Sequence, residues 1–337
     1  MNSSQKPVKG RPKYIVLTGG VGGAKLCQGL ARVLEPSQLL FVVNTGDDFT
    51  HLGLHISPDV DSLMYALAGL SSRERGWGRD DETWNCLETL KKLGGESWFR
   101  LGDRDLALHL KRTADLAAGK TLTQSIASIK KGLRVKNHIV PMSNDPVRTK
   151  IDTDEGMLSF QEYFVSRQCQ PKVNRVVYQG TWDARMASSV HTFLQSAELR
   201  GTIICPSNPV LSIDPILEVE GMRDWLRFPH TPRVAVSPII GGEAVKGPTA
   251  KIFKELGKEV NAIGVAKHYG TLLDGFIYDR RDHYLETRFK GMPLPARSTE
   301  TLMQADADKE ALARNVLQFI DDISLENVFG KLEPYDA

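Results

Sequence analysis

Four glycines in five positions follow an apolar run near the start of the chain: Tyr14-Ile15-Val16-Leu17-Thr18-Gly19-Gly20-Val21-Gly22-Gly23-Ala24-Lys25. The apolar run reads as a buried strand, and an apolar helix is expected to begin near Ala24. Glycine lets backbone approach a ligand and adopt conformations that a side chain forbids. A turn of this kind between strand and helix aims several amide N–H groups at one spot, and the helix dipole adds partial positive charge there. A phosphate suits that spot, and Lys25 adds an ammonium on the first turn. The pattern is not a Walker A loop, because Leu26 follows Lys25 where Ser or Thr is needed. Nor is it the full dinucleotide fingerprint, since the third glycine falls at the wrong place.

The rest of the chain repeats strands and helices. Leu39–Val43 is a second apolar run of strand length and ends in Asn44-Thr45-Gly46-Asp47-Asp48. Later runs at 139–147, 160–165, 202–209, 233–242, 262–266 and 275–279 read as further strands and apolar segments. Helices are expected over 62–68, from Lys246-Gly247-Pro248 through Leu256, and around 308–320. Residues 71–136 look helical and polar, broken at Gly76-Trp77-Gly78. Such alternation predicts an α/β, Rossmann-like chain. Its sheet is mostly parallel with helices on both faces, and a largely helical insertion at about 71–170 caps the crevice. Residues 14–337 are expected as one domain behind a disordered tail at 1–13, which has no apolar stretch typical of a secretion signal.

In an open parallel sheet, ligands sit beyond the carboxyl ends of the strands. The glycine turn, Asp47-Asp48, Ser207-Asn208 and Ser237…Gly241-Gly242 all fall at such ends. Asp59 and Asp61 precede the helix at 62–68. Capping accounts for Asp59, while Asp61 joins Asp47 and Asp48 as loop carboxylates. Oxygen donors with no Cys/His cluster suit a hard cation such as Mg²⁺. His55 and His109 read as surface or core polar groups, and most of the five tryptophans as packing.

Composition excludes other classes. Among 337 residues, 41% are hydrophobic and 25% charged, and the formal net charge is +2, so no polyanion is implied as partner. Lys and Arg are scattered, against a nucleic-acid footprint. No apolar run reaches membrane-spanning length. Cys27, Cys86, Cys169 and Cys205 form no CxxC pair, which fits a reduced, cytoplasmic setting. There is no G-x-S-x-G elbow and no zinc spacing.

Several blocks together resemble the 2-phospho-L-lactate transferase family, CofD. They are Gly19-Gly20-Val21-Gly22-Gly23-Ala24-Lys25, Asn44-Thr45-Gly46-Asp47-Asp48, Ile56-Ser57-Pro58-Asp59-Val60-Asp61, Gly76-Trp77-Gly78, Leu101-Gly102-Asp103-Arg104-Asp105, Pro141-Met142-Ser143-Asn144-Asp145-Pro146, Pro206-Ser207-Asn208-Pro209 and Ser237-Pro238-Ile239-Ile240-Gly241. The resemblance implies a step in making the deazaflavin coenzyme F420. A guanosine diphosphate whose terminal phosphate carries a lactyl group, or an enolpyruvyl or glyceryl variant, passes its phospho-acid unit to a hydroxyl of the deazaflavin Fo. GMP leaves and F420-0, or a variant of it, forms. It further implies Asp47 and Asp61 as metal-associated acids, Asp61 and Arg100 as Fo contacts, and a homodimer. Arg100 stands where many members have lysine. Guanine nucleotide would be held by the glycine turn and Ser207-Asn208. Asp48 would orient the hydroxyl, accept its proton, or merely cap or buttress. Two other readings stand beside this one. YvcK-like regulators bind nucleotide sugars and carry an Asp-Asp-Gly-Gly-Ser-Ser-Gly-like run, whereas here Asp47-Asp48 leads into Phe49-Thr50-His51. A nicotinamide enzyme would use Asp47 or Asp48 for ribose, but the misplaced glycine counts against it.

Overall fold

The structure is a computed structural model that describes residues 10–72, 75–227, 231–245 and 247–329. Most of the expected tail at 1–13, and Lys246 of the expected helix start, lie outside the described residues. Lys13 already belongs to the first strand.

The strands in chain order are β1 (Lys13–Thr18), β2 (Leu39–Val43), β3 (Phe49–His51), β4 (Leu54–Ile56), β5 (His138–Pro141), β6 (Arg148–Thr153), β7 (Gly156–Ser159), β8 (Val173–Gln179), β9 (Leu199–Ile204), β10 (Arg233–Val236), β11 (Ile239–Ile240), β12 (Glu243–Ala244), β13 (Gly275–Asp279) and β14 (Ala296–Thr299). Seven of them form one sheet in the order β14-β13-β10-β9-β1-β2-β5, with every pairing parallel. The chain is therefore an α/β, Rossmann-like fold.

Period-two alternation explains why both faces are covered. On β1, Ile15 and Leu17 enter one core while Tyr14 and Val16 enter the other; on β2, Leu40 and Val42 oppose Leu39, Phe41 and Val43. The second core is closed by α1 (Gly20–Val33), α2 (Pro58–Ala68) and the C-terminal helix Asp306–Phe329. Strand order leaves β1 in opposite directions, to β2 on one side and to β9 on the other. That reversal opens a crevice at the carboxyl end of β1, where Gly19 and Gly20 sit.

Between α2 and β5 come α3 (Asn85–Lys92), α4 (Asp103–Ala117) and α5 (Leu122–Gly132), the helical insertion foreseen. β5, inside the span expected as a cap, is instead an edge strand of the central sheet. After it the insertion adds a three-stranded antiparallel sheet, β7-β6-β8. The segment at 160–165, expected as a strand, is helical, with a π turn over Glu162–Ser166. Phe160 stacks on Phe164 at 5.4 Å, the helical i,i+4 pairing that outweighs the apparent alternation. Likewise the run at 262–266 begins the helix Ala262–Tyr269, which Asn261 caps by accepting the Gly264 amide at 2.9 Å.

Candidate active site

The first helix begins at Gly20, four residues before the point expected. Its cap, Gly19, is extended and offers no side-chain acceptor. Gly20 has φ +63, a left-handed conformation that strains other residues. At Gly22 a Cβ would lie 2.6 Å from the Pro206 carbonyl, so β9's tip and the turn meet backbone to backbone. Ser207 locks the two together: its hydroxyl donates to the Gly19 carbonyl at 2.7 Å and accepts the Gly19 amide at 3.2 Å.

A cavity of about 680 Å³ opens over this turn. Gly19, Gly20, Val21, Gly22 and Lys25 line it, as do Ser207 and Asn208. Gly23 does not; a Cβ there would strike Thr18 Oγ1 and Ser207 Oγ, so its role is packing. Lys25 Nζ donates to the Met303 carbonyl at 2.7 Å, tying the second turn of α1 to the loop after β14. Asn208 Oδ1 caps the next turn by accepting from Val210 and Leu211, and its Nδ2 is buried without a partner among the described residues.

The acidic residues separate into distinct environments. Asn44 Nδ2 donates at 3.0 Å both to Asp47 Oδ1 and to Asp59 Oδ2, and Asp59 Oδ1 accepts the Gly20 amide at 2.7 Å. Both carboxylates line the cavity. Burial pushes Asp47 well above the ordinary carboxylate range, with the charges of Asp59 and Asp48 adding to it. Burial also lifts Asp59 to about 6, against the bonds from Asn44 and Gly20. Asp59, which capping alone explained in the sequence, is thus part of the site. Two acidic residues in the first turn of α2 also complement its dipole.

Asp61 lines the cavity with both oxygens on the buried Arg112 guanidinium; Oδ2 receives Nη1 at 3.0 Å. Burial raises its carboxyl, and Arg112 and His109 work against that rise. Asp48, expected among catalytic acids, does not line the cavity: Oδ2 accepts the Ser57 hydroxyl and sits 3.1 Å from His55 Nε2, fastening the β3–β4 hairpin to α2. Arg100 does line it, with its guanidinium 4.6 Å over the Trp84 ring.

Aromatic rings also line the cavity. Trp98 and Phe99 pack edge-on at 5.7 Å, and Phe160 and Phe164 stack at 5.4 Å. Trp77, 45% exposed, joins them, so tryptophans read as packing from the sequence in part face the cavity. His109, read as an isolated polar group, also lines it.

The glycine turn and Asp47, which the sequence blocks placed at strand ends, line one cavity; the pairing of Asp47 with Asp59 and the aromatic lining were not expected. The family model for 2-phospho-L-lactate transferase CofD matches residues 15–322. The chain belongs to the CofD family. It is similar to 2-phospho-L-lactate transferase from Methanosarcina mazei, 38% identical over 304 residues, covering 90% of this chain and 99% of that one. It is also similar to phosphoenolpyruvate transferase from Streptomyces griseus, 36% identical over 318 residues, covering 92% and 99%. A solved UPF0052-family structure from Bacillus halodurans shares the fold at TM-score 0.61 and 16% identity, covering 91% of this chain and 99% of that one. Like the CofD family, then, the chain is a transferase of substituted phosphate groups. No helix among the described residues is long and apolar enough to cross a membrane.

Whether the CofD site suits Mg²⁺ turns on its donors. Among the described residues no group of three or more His, Cys, Asp or Glu is arranged as a metal cage. Asp47 and Asp59 nevertheless offer hard oxygens, buried and mutually repelling. That donor set fits a cation which keeps waters and takes its remaining ligands from a diphosphate.

Proposed function

We propose that the chain transfers a phospholactyl-type unit from a guanosine diphosphate donor to a hydroxyl of the deazaflavin Fo, releasing GMP. The product is F420-0 or an enolpyruvyl or glyceryl variant of it. The observation that carries this reading is one cavity lined by a glycine turn, buried carboxylates and several aromatic rings. Such a space suits a diphosphate meeting a planar acceptor.

Phosphoryl-type transfer needs in-line positioning and charge stabilisation more than covalent help. The α1 amide end at Val21 and Gly22, past the Gly20 amide that Asp59 holds, receives the diphosphate, and Asn208 Nδ2 offers it or the ribose a further donor. Ser207 keeps the turn in shape. The acceptor's planar rings lie between Trp98–Phe99 and Phe160–Phe164, with Arg100 beside them. From there its hydroxyl attacks the phosphorus that bears the acid; the P–O–P bond breaks, the GMP phosphate takes the electron pair, and the hydroxyl proton passes to that phosphate or to water. Asp47 and Asp59 would hold Mg²⁺. Asp61, the partner first expected for Asp47, keeps its charge on Arg112 and faces the acceptor instead. A bound Mg²⁺ supplies charge neutralisation on the diphosphate. Asp48 supports the hairpin from behind.

The test is mass spectrometry of the products formed from Fo with each guanylyl donor, lactyl, enolpyruvyl and glyceryl. GMP and one F420-0-type product are expected. A purified sample that binds neither guanine nucleotide nor Fo overturns the reading, and a melting shift with UDP-sugars alone points to the regulator class.

A further inference from the structure

Asp105, His109 and Tyr65 line the cavity but take no part in its nucleotide end. Asp105 and His109 are one turn apart on α4 and share a face. Tyr65, on α2, donates a hydrogen bond to Asp105 Oδ1, and His109 Nε2 lies 3.4 Å from the same oxygen. His109 is only 2% exposed, yet its Nε2 has no hydrogen-bond partner among the described residues. Nδ1, on the other edge of the ring, faces Asp61 at 3.6 Å and Arg112 at 3.3 Å. Asp105 differs from Asp61. No described lysine or arginine pairs with it, and its side chain keeps 19% of its surface open. A carboxylate one-fifth open and an imidazole nitrogen that meets it only through a long contact leave the pair room for a further hydrogen-bonding group.

We propose that Asp105 and His109, steadied by Tyr65, form a hydroxyl-recognition subsite for the polyol chain of the acceptor. The inference rests on the Fo reading above. Position along α2 selects the chain rather than the rings. Asp59 touches Gly20 at the phosphate end, and Tyr65 lies six residues further on, about 9 Å along the helix. Helical side chains lean toward the N-terminus, so the Tyr65 side chain is directed back toward that end. In the Fo reading, this face of α2 and α4 lies within reach of a chain whose terminal hydroxyl meets phosphorus near Gly20. Each hydroxyl is donor and acceptor at once. One donates to Asp105, and the same or its neighbour pairs with His109 Nε2. An alkyl linker would leave both groups unpaired, and a site that binds through buried polar groups rejects such analogues.

The experiment compares the full-length wild type with Asp105→Asn, His109→Gln and His109→Ala. Two acceptors are used, Fo and an Fo analogue whose chain keeps only its terminal hydroxyl. Deoxygenation is expected to raise the wild-type acceptor KM at least about tenfold. Asp105→Asn should raise the KM for Fo about tenfold and largely lose that discrimination, with the donor KM unchanged. His109→Gln should restore part of what His109→Ala loses. Melting curves matching the wild type separate recognition from misfolding, and titration of Fo alone gives binding without turnover. Variants that fold and discriminate as the wild type does overturn the subsite. So does a rise in donor KM in place of acceptor KM. A wild type that neither binds nor turns over Fo defeats the underlying reading, and the subsite with it.

Discussion

Replacing Asp59 with Asn should make the metal-free protein more stable while destroying its turnover. Burial pushes the Asp59 carboxyl from an ordinary value of 3.8 to about 6. That gap corresponds to about 3 kcal/mol between the two protonation states. Because the folded-state value lies above the unfolded one, the favourable contribution is complete below pH 3.8 and is lost as pH rises through about 6. At pH 8 the wild type therefore carries a buried charge that costs up to about 3 kcal/mol. Asn keeps an oxygen for the Gly20 amide, which Asp59 now accepts at 2.7 Å, and removes the repulsion with Asp47; it gives up the 3.0 Å bond from Asn44, which offsets about 1 kcal/mol of the gain. Urea unfolding in EDTA at pH 4.5 and pH 8 measures the effect. Wild-type stability should fall between the two pH values more steeply than that of Asp59→Asn. Mg²⁺ at pH 8 should raise the wild type more than the variant. If Asp59→Asn is no more stable than wild type in EDTA at pH 8, with an equal pH slope, the carboxylate is not strained and its assignment to a cation site fails.

The other expectations concern the scaffold around that pair. Gly20→Ala meets open space, with Ser212 Oγ at 4.0 Å, so only its φ of +63 is penalised. A loss of about 1 kcal/mol in chemical denaturation should accompany weaker guanine-nucleotide binding by calorimetry. Ser207→Ala leaves the Gly19 amide and carbonyl unpaired. Denaturation should show a loss of about 1–3 kcal/mol, and kinetics a raised donor KM. Arg112→Met strands Asp61 as a buried charge. It should cost about 3–5 kcal/mol, and a double-mutant cycle with Asp61→Leu should recover most of that.

Much of this was legible because buried strands and glycine turns announce themselves locally. β1 and β2 are continuous apolar runs, and a parallel sheet buried on both faces requires that. Four glycines after β1 told of a close backbone approach before any partner was known. Position along the chain was less informative elsewhere. Phe160 to Val165 alternates like a strand, yet it is the stacking of Phe160 on Phe164 that decides its helical form. Asn261 decides the helix at 262 by capping it, a signal the sequence carries only as a single residue ahead of a short apolar run. Trp77 and Trp98 could not be told from packing residues, since an aromatic at a cavity wall and one in a core have the same side chain.

The acids show why spacing alone cannot assign roles. Asp47, Asp48, Asp59 and Asp61 fall within fifteen positions and read alike in sequence. Their partners, however, differ and come from near and far along the chain. Arg112, fifty-one residues on, takes Asp61; His55 and Ser57 take Asp48. Asn44 and the Gly20 amide are left for Asp47 and Asp59, neutral donors that cannot balance two charges. Only this last pair combines burial, repulsion and neutral partners, so the strain collects where a diphosphate and its counter-ion are proposed to sit. Arg148 acts on Asp47 through its charge, but among the described residues no guanidinium contacts either carboxylate as Arg112 contacts Asp61. Direct contact of that kind would compete with an exchangeable cation for the same oxygens.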